Sequence, residues 1–548
     1  MTDAILVLCT CPDEASADLI CAQLLNQRLA ACINQLPGLT SVYRWQGKVE
    51  RATEIQLIIK SRQSRFTELQ ACIQAHHPYE VPELLALAGE PGSWRSQLRV
   101  PWSELEALAA DLLAAGLAPL RQSAQLEALS ADAFVYSPVL APLLQGLRAQ
   151  MGVRVESSEQ VLRVAAACAR YGVSLTLRGA GTGNYGQCVP LAGGLVVDLS
   201  GMNRLLQLDA ATGVFTAEPG ILLADLDQQL QGHGRALRLV PSTVRSASLG
   251  GFIAGGSGGI GSLRWGFLRD PGHLLGLEMV TVEPQPRLLQ LDAAGAQSLN
   301  HAYGTNGIVT ALTMASTAAV AWQQLVLEFA HWEQALAAAQ VLPASALQLN
   351  ALCVLEAAVA AQLPWPQGCP EADGRSHRLL LLAAPDALLA LPALLTELGG
   401  ALVWQAPQGQ SRGIPLRELT WNHTTLHVRS RDPGFTYLQL LLPQPEAPAL
   451  AALRERWGSD LLWHLEAVRS MGAQRLACLP LVRWRGPEAL QALIDHCCAL
   501  GCVLFNPHVF NVEDGGLGVV DADQVAAKAA YDPAGLLNPG KLRGWLER

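Results

Sequence analysis

The sequence predicts an α+β protein built from several domains, and three observations lead to this class. Its 548 residues exceed what one hydrophobic core usually organises. The first hundred residues follow the order β-α-β-β-α-β, which predicts a small ferredoxin-like sandwich. From residue 157 onwards, strands and helices alternate and are interrupted by two runs rich in glycine.

The elements of the first domain follow from periodicity and from proline. "AILVLCT" and "TEIQLIIKS" predict strands, and residues 13–29 and 64–76 carry apolar positions at helical spacing. "HHPYEVPELLAL" is expected to be extended because its two prolines exclude a helix. The end of this domain is predicted at residue 102, followed by a helical connector over 103–120 that ends at Gly116 or Pro119.

Composition excludes some function classes. Half of the residues are apolar, the net charge is −9 and the isoelectric point is near 5.8, which argues against nucleic acid or an anionic membrane as the main partner. The opening residues do not resemble a signal peptide, and no apolar run is long enough to predict a membrane span. Thirteen cysteines without a CxxC motif favour reduced thiols, so we expect a cytoplasmic protein that acts on a small molecule.

Residues 3–95 resemble the CutA family of divalent-cation tolerance proteins. The motifs that carry the resemblance are Ala31-Cys32, Ser41-x-Tyr43-x-Trp45-x-Gly47, Glu54, Lys60 and His77-Pro78-Tyr79-Glu80-Val81-Pro82. The resemblance implies a homotrimer, with Tyr43, Trp45, Val81 and Leu84 at the interface, and a role in copper binding is attributed to the family. His76 and His77 are potential imidazole ligands, but no partner ligand is visible in the sequence, and we predict no metal site.

The first glycine run, "RGAGTGNYGQCVP" over residues 178–190, follows a predicted helix over 158–171 capped by Ser157 and a predicted strand "VSLTL". Glycines after a strand let successive backbone N–H groups approach an anion closely, so the run predicts a phosphate-binding loop. It lacks the spacing of a dinucleotide fingerprint and the Gly-Lys-Ser/Thr of a Walker loop.

The second glycine run, "PSTVRSASLGGFIAGGSGGIGSLRWG" over residues 241–266, contains eight glycines interleaved with Leu249, Phe252, Ile253 and Ile260. A flexible linker would not carry these apolar residues. The run therefore predicts an ordered backbone wrapped around a large flat ligand.

The strands and helix between these runs resemble the FAD-binding domain of the vanillyl-alcohol oxidase and p-cresol methylhydroxylase superfamily, in its glycolate oxidase-like branch. The resemblance covers residues 140–322 and returns in "YDPAGLLNPGKL" over 531–542. It implies a two-subdomain FAD-binding fold over 121–322, an α+β cap domain over 323–500 and a C-terminal segment over 501–548 that returns to the flavin. It assigns cofactor contacts to Arg178, Gly179, Ala180, Gly181, Thr182, Gly183, Asn184, Pro241, Ser242, Thr243, Ser248, Gly250, Gly251, Gly255, Ile308, Val309, Asn538 and Lys541.

Two departures from that superfamily shape the expectations. Thr182 stands where members with a covalent flavin commonly carry histidine, so we expect noncovalent FAD, and nothing indicates Cys188 as an attachment point. The metal-binding Gly-His-x-Gly-Asp-Gly-Asn-x-His motif of the branch is absent, and "VEDGGLG" is at most a degraded form of its later Glu-His-Gly-x-Gly. The substrate is therefore not assigned by the resemblance.

Catalytic candidates come from two polar segments of the C-terminal half. "ELTWNHTTLHVRS" over 418–430 is interpreted as a strand with His423 as a base and Arg429 as a carboxylate clamp on one face, along with Trp421, Thr425 and His427. Its alternative is a polar outer strand. His508 in "FNPHVFNVEDGG" is the second candidate base, and its alternative is a turn with a surface histidine.

Together these patterns predict an FAD-dependent oxidoreductase fused to a trimeric CutA-like domain. It would oxidise a CH–OH group of a small substrate, carboxylated or not, by hydride transfer to flavin. The sequence does not identify the electron acceptor. The alternative is a metal-responsive scaffold or sensor whose flavin domain is not catalytic.

Overall fold

The computed structural model describes residues 4–45, 48–79, 82–88 and 101–547. The chain divides into two compact units, Met1–Leu98 and Arg99–Arg548. The predicted α+β class is confirmed in both units. The division falls four residues before the domain end expected from the sequence.

The first unit has the predicted order of elements. They are β1 Ala4–Cys11, α1 Glu14–Asn26, β2 Cys32–Trp45, β3 Lys48–Arg62, α2 Phe66–His76 and β4 Leu85–Ala88. The strands form an antiparallel sheet in the order β2-β3-β1-β4. Ile20 and Leu24 of α1 and Leu69 and Ile73 of α2 pack with the apolar residues of β1 and β3, which gives the ferredoxin-like sandwich its core.

The predicted interface residues of this unit have separate outcomes. Leu84 packs against the core of its own domain. Val81 lies outside the described residues, as do the side chains of Tyr43 and Trp45. The trimer expected from the sequence therefore stays a prediction.

The second unit begins with the elements that carry the glycine runs. They are α3 Trp102–Ala114, α4 Ser123–Leu129, α5 Leu140–Leu144, β5 Met151–Arg154, α6 Ser158–Tyr171, β6 Leu175–Arg178, β7 Leu195–Asp198, β8 Leu205–Leu208, β9 Val214–Ala217, α7 Leu223–Gln231, β10 Arg235–Ala236, α8 Leu249–Gly255, α9 Ser262–Trp265, β11 Leu274–Val280, β12 Leu288–Asp292, α10 Ala293–Ala296, β13 Ile308–Ala315 and β14 Thr317–Ala318. Their strands form three sheets: a parallel sheet β5-β7-β6, an antiparallel sheet β12-β11-β13-β9-β8 and the antiparallel pair β10-β14.

Two features of this region follow directly from the sequence. Ser157 caps α6 by accepting a hydrogen bond from the N–H of Gln160, and Gly172 ends the helix at a φ of +63°. The helix expected as a connector, α3, packs against α6, and its Leu105, Leu108 and Leu112 are fully buried in the core around the parallel sheet. This helix therefore belongs to the second unit, because its apolar stripe is covered there.

The remaining elements form the cap and the C-terminal return. They are β15 Gln323–Phe329, α11 Trp332–Ala344, β16 Leu349–Leu355, α12 Ala357–Ala360, β17 His377–Ala383, α13 Ala387–Leu398, β18 Gly400–Pro407, α14 Asn422–Arg431, β19 Phe435–Tyr437, β20 Leu440–Leu441, α15 Glu446–Trp457, β21 Leu461–Leu462, β22 His464–Ser470, β23 Ala473–Cys478, β24 Leu481–Arg483, α16 Pro487–Ala499, β25 Val503–Leu504, α17 Val512–Gly515, α18 Ala522–Tyr531 and α19 Arg543–Leu546. Eight strands make one sheet in the order β18-β15-β17-β16-β22-β23-β20-β25.

The C-terminal segment connects both parts of the second unit. Its β25 pairs with β20 and so extends the cap sheet past the expected cap boundary at residue 500. Leu537 then forms a parallel bridge with Leu175 of β6, and the N–H of Asn538 donates to the carbonyl of Leu175 at 2.7 Å. The last residues of the chain are therefore built onto the strand that leads into the first glycine run.

Candidate functional site

A cavity of about 270 Å³ opens where the two glycine runs face each other. Segment 301–309 closes one side of it, and the start of α14 in the cap contributes another wall. Fifteen of the residues predicted for the site line this cavity: Gly179, Ala180, Gly181, Thr182, Gly183, Asn184, Pro241, Ser242, Thr243, Ser248, Gly250, Gly251, Gly255, Val309 and His423. The structure thus brings together most of the predicted cofactor contacts and one of the predicted bases.

The two glycine runs are joined through Ser248. Its hydroxyl accepts hydrogen bonds from the N–H of Ala180 at 3.3 Å and from the N–H of Gly251 at 3.4 Å, which also caps α8. A Cβ at Gly179 would overlap this hydroxyl, and a Cβ at Gly250 would lie 3.0 Å from the carbonyl oxygen of Pro219. The absence of side chains therefore allows the two backbones to approach each other.

Gly181 has a φ of +69°, a conformation that other residues rarely adopt. A Cβ there would overlap the guanidinium of Arg178, which donates to the carbonyls of Leu129 at 3.1 Å and Ala131 at 2.5 Å. The Arg178 guanidinium therefore packs against the backbone of the first glycine run and links it to the carbonyls of Leu129 and Ala131.

Arg178 lies outside the cavity lining, and so do three other predicted cofactor contacts, Ile308, Asn538 and Lys541. Ile308 is fully buried in the core beside the parallel sheet. The amide of Asn538 donates to the carbonyls of Tyr303 at 2.6 Å and Gln187 at 3.0 Å, and the ammonium of Lys541 donates to the carbonyls of Gly186 and Gln187. These two residues fix the end of the first glycine run against segment 301–309.

Asp132 lines the cavity and was missed by sequence reasoning. Its carboxylate accepts hydrogen bonds from the N–H groups of Phe134 at 3.0 Å and Cys188 at 3.5 Å. Burial raises the pKa of Asp132 to about 6, although Lys541 opposes the shift. Its position 46 residues before Arg178 gave no pattern that links it to the glycine run.

Segment 301–309 contributes backbone in an uncommon conformation. His301 and Tyr303 have φ values of +55° and +51° without being glycine. Their N–H groups donate to the carbonyls of Ile253 at 2.9 Å and Ala254 at 2.8 Å, which ties the segment to α8. Both residues line the cavity, so the strained backbone lies at the site itself.

The expectation of a strand over 418–430 is wrong, because residues Asn422–Arg431 form the helix α14. Thr424, Thr425 and Val428 are its buried positions, a spacing of one, three and four residues that covers a helical face. His423 and His427 still share a side, with ring centroids 6.5 Å apart, because they are four residues apart.

Arg429, predicted as a carboxylate clamp, lies outside the lining of the cavity. Its guanidinium donates to the carbonyl of Phe435 and lies over the ring of Tyr136, 6.0 Å from the centroid. In a strand it would have shared a face with His423, but six positions along a helix turn it to a different side. Tyr136 lines the cavity and Arg429 does not.

The two candidate bases differ in access. His423 lines the cavity, and among the described residues neither of its ring nitrogens has a hydrogen-bond partner. Burial lowers the pKa of His423, against the opposing charge of Glu418. His423 is therefore neutral near pH 7 and has a lone pair to accept a proton.

His508 is buried, so the alternative interpretation of it as a surface histidine in a turn is wrong. It does not line the cavity either. Its Nε2 lies 2.8 Å from the carbonyl oxygen of Tyr437 and its Nδ1 lies 2.7 Å from Oγ of Ser137. Burial lowers its pKa to about 4. With one nitrogen donating and the other accepting, His508 holds β19 to the segment before α5.

Polar groups from the cap continue the lining beside His423. The hydroxyl of Tyr185 donates to Oε1 of Gln439 at 2.8 Å, and Nε2 of Gln439 donates to Oδ1 of Asn422 at 3.2 Å. All three residues line the cavity. This series of hydrogen bonds was not predicted, because its three residues are far apart in sequence and carry no shared motif.

The cavity fits a flat cofactor that carries a pyrophosphate. Two glycine-lined backbones face it, and side chains are excluded at Gly179 and Gly250 by the contacts described above.

Within the described part of the chain, no helix is both long and apolar enough to cross a membrane.

Comparison with known families gives two matches. Residues 5–95 match the family described as CutA1 divalent ion tolerance protein, and residues 149–285 match the family described as FAD binding domain. The divalent-cation tolerance protein CutA of Yersinia pestis (strain Pestoides F) is 50% identical over 91 residues, which are 17% of this chain and 76% of that protein. The CutA protein of Yersinia pseudotuberculosis serotype O:1b (strain IP 31758) gives the same values.

Solved structures resemble most of the chain in fold. A structure of alkyldihydroxyacetonephosphate synthase has a TM-score of 0.62 at 16% identity and covers 91% of this chain and 97% of its own. A variant of the BBE-like 1 protein of Physcomitrella patens has a TM-score of 0.58 at 13% identity and covers 80% of this chain and 99% of its own. At these identities the likeness concerns the fold.

Proposed function

We propose that the chain, which belongs to the CutA1 divalent ion tolerance family through residues 5–95, uses its FAD-binding domain to oxidise a CH–OH carbon of a small substrate. The observation that carries the proposal is the shared cavity. Part of the lining is glycine-rich backbone suited to a pyrophosphate, and another part is the His423 imidazole, which has no hydrogen-bond partner among the described residues. An oxidation at carbon needs both a hydride acceptor and a proton acceptor.

The residues that would hold the cofactor are those of the two glycine runs and of segment 301–309. The backbone of Gly179, Gly181, Thr182 and Gly183 lines the cavity and would hold the pyrophosphate, and Val309 contributes to the same lining. FAD supplies the acceptor for a hydride when bound. Ser248, which also lines the cavity, and Asn538, which does not, fix the positions of these backbones through hydrogen bonds.

His423 is the proposed base. In the reaction, the substrate C–H bond breaks and its electron pair leaves with the hydrogen as hydride, while the hydroxyl proton passes to a ring nitrogen of His423. The carbon and oxygen are left as a carbonyl group. Asn422 and Gln439, which line the same wall, are placed to orient a hydroxylated substrate.

The lining favours a neutral hydroxyl compound over a carboxylate. Among the described residues that line the cavity there is no arginine or lysine, and the polar side chains are amides, phenols, imidazoles, serine and threonine hydroxyls, the Cys188 thiol, the Trp421 indole and the carboxyl of Asp132. A carboxylate would enter without the bidentate partner that usually binds it. We therefore place alcohols and sugars ahead of 2-hydroxy acids as the substrate class.

The first unit is proposed to assemble three chains. Its two longest strands expose apolar side chains, with Val42 54% and Val49 65% exposed, and Leu36 and Leu39 lie on the same hairpin. Adjacent exposed apolar residues on a strand pair are typical of an interaction surface. The CutA relatives cover this unit alone.

The proposed oxidation is tested by following flavin absorbance without oxygen. Purified full-length protein is mixed with primary alcohols, sugars and 2-hydroxy acids, with dithionite as the control for complete reduction. We expect bleaching with a member of the alcohol or sugar class. Bleaching by dithionite together with an unchanged spectrum for every hydroxyl compound would contradict the proposal.

A further inference from the structure

A second cluster of chemically reactive side chains lies inside the cap sheet, behind the cavity wall. Cys353 of β16 and Glu466 of β22 are direct partners in the antiparallel register, so their side chains are neighbours on one face. His464 lies two residues before Glu466 and projects from the same face. Two adjacent strands of an eight-stranded sheet therefore hold three different ligand types on a rigid support.

The cluster is closed to solvent and compact. Cys353 and His464 have no exposed surface and Glu466 is 1% exposed. One ligand atom from each, the Cys353 thiol sulfur, a His464 ring nitrogen and a Glu466 carboxylate oxygen, lies within 4.8 Å of the others. Nε2 of His464 is 2.8 Å from Oε1 of Glu466, and Oγ1 of Thr424 is 3.4 Å from the same ring nitrogen.

The ligand chemistry points to a divalent cation. A buried carboxylate is unfavourable unless it is paired or bound to a metal. A thiolate and a carboxylate together supply two negative charges, and a neutral imidazole supplies none, so a doubly charged cation would make the buried group neutral overall. A sulfur, nitrogen and oxygen donor set suits Zn²⁺, which takes Cys, His and Glu ligands at about 2.0–2.3 Å in a tetrahedral arrangement.

We propose that Cys353, His464 and Glu466 form a binding site for a divalent transition-metal cation of the Zn²⁺ class. Binding replaces the thiol proton of Cys353, which leaves to solvent, and a water completes the fourth position. Thr424 is placed to accept a hydrogen bond from that water, because its own hydroxyl proton is donated to the carbonyl of Leu419 at 2.7 Å.

A bound cation would affect the cavity lining through the hydrogen bond between Trp421 and Glu466. Oε1 of Glu466 also accepts from the N–H of Trp421 at 2.7 Å, and Trp421 has a φ of +52° immediately before α14. Trp421 lines the cavity together with His423. A cation on Glu466 would therefore fix the start of the helix that presents the proposed base, as a positioning site and not as part of the reaction.

The test uses full-length protein produced in medium supplemented with Co²⁺, because the site is enclosed once the chain has folded. We expect cobalt bound in proportion to chain and an absorption band at wavelengths longer than those of the flavin, typical of tetrahedral Co²⁺ with a thiolate ligand. Cys353→Ser should remove the band, and Glu466→Gln should lower the cobalt content while the FAD content stays normal.

Two controls separate this site from other thiols. Cys478→Ser changes an equally buried cysteine on β23 of the same sheet and should leave cobalt binding intact. Cys9→Ser tests the group of Cys9, Cys11 and His77 in the first unit. The proposal is overturned if the wild-type protein binds no cobalt, if the band survives Cys353→Ser, or if only Cys9→Ser removes it. Should Cys353→Ser lose its FAD, Glu466→Gln with unchanged cobalt content would overturn it instead.

Discussion

The hydroxyl of Ser248 accepts a hydrogen bond from the N–H of Ala180, so one side chain of the second glycine run fixes the backbone of the first. The same oxygen caps α8 through Gly251. Ser248→Ala should lose about 1 kcal/mol of capping free energy, and FAD affinity should fall about fivefold because both backbones loosen. Fluorescence titration of apoprotein with FAD measures the change. Ser246→Ala is the matched control, since its exposed hydroxyl has one hydrogen-bond partner among the described residues, the carbonyl of Thr243. Unchanged affinity in both variants would contradict the expectation.

FAD is expected to be held without a covalent bond. Thr182 has a weakly nucleophilic hydroxyl in place of the imidazole that covalent members commonly carry. Burial raises the pKa of Cys188 to about 12, so its thiolate is not populated at neutral pH. Acid precipitation of the purified protein should release the yellow chromophore into the supernatant. Chromophore that stays in the pellet would show covalent attachment.

Replacement of His423 by alanine should lower the turnover of flavin reduction by about 10² to 10⁴, the usual contribution of a positioned base. The wild-type kcat/KM should rise with pH through a midpoint below 6.5, because burial lowers the pKa of His423 and only the neutral ring accepts a proton. The acid limb should be absent in the variant. Normal FAD content with undiminished turnover in His423→Ala would exclude the role.

Leu108→Ala should destabilise the FAD-binding unit by about 2–5 kcal/mol, because this side chain is fully buried against the core that surrounds α6. Leu113→Ala on the same helix is the control, since Leu113 is 62% exposed. Thermal release of FAD fluorescence reports the stability of this unit. Equal effects of the two substitutions would show that α3 is a linker, as the sequence suggested.

The full-length chain should have three times the chain mass of 58.4 kDa in light scattering. Val42→Glu and Val49→Glu place charges on exposed apolar positions of the β2–β3 hairpin and should reduce the mass without loss of FAD. Leu389→Glu, at a position 87% exposed in the second unit, should leave it unchanged. A monomeric wild-type protein would mean that this domain keeps the fold of its relatives without the predicted assembly.

The sequence predicted the features that depend on backbone freedom and local periodicity. Glycine at 179, 181 and 250 marks where chains approach or take a positive φ, and this requirement is visible in one sequence. The cap Ser157 and the end of α6 at Gly172 followed from the same kind of local rule.

The failures came from residues whose surroundings decide their structure. Thr424, Thr425 and Val428 are β-branched and favour a strand by propensity, but they pack as the buried face of α14. Arg429 consequently turned away from His423. Asp132, Gln439 and the cluster around Glu466 are assembled by tertiary contacts between distant segments, for which a single sequence carries no spacing signal.

The position of Asn538 and Lys541 has a consequence for the order of events during protein synthesis. The ribosome makes Gln187 351 residues before Asn538 and 354 residues before Lys541, the two residues whose side chains hold its carbonyl. Stable binding of FAD should therefore wait until residues 538–541 have been made, and a chain that stops before Tyr531 should retain none. The first unit is complete by Leu98, so copies of it can meet while the flavin site is still being translated.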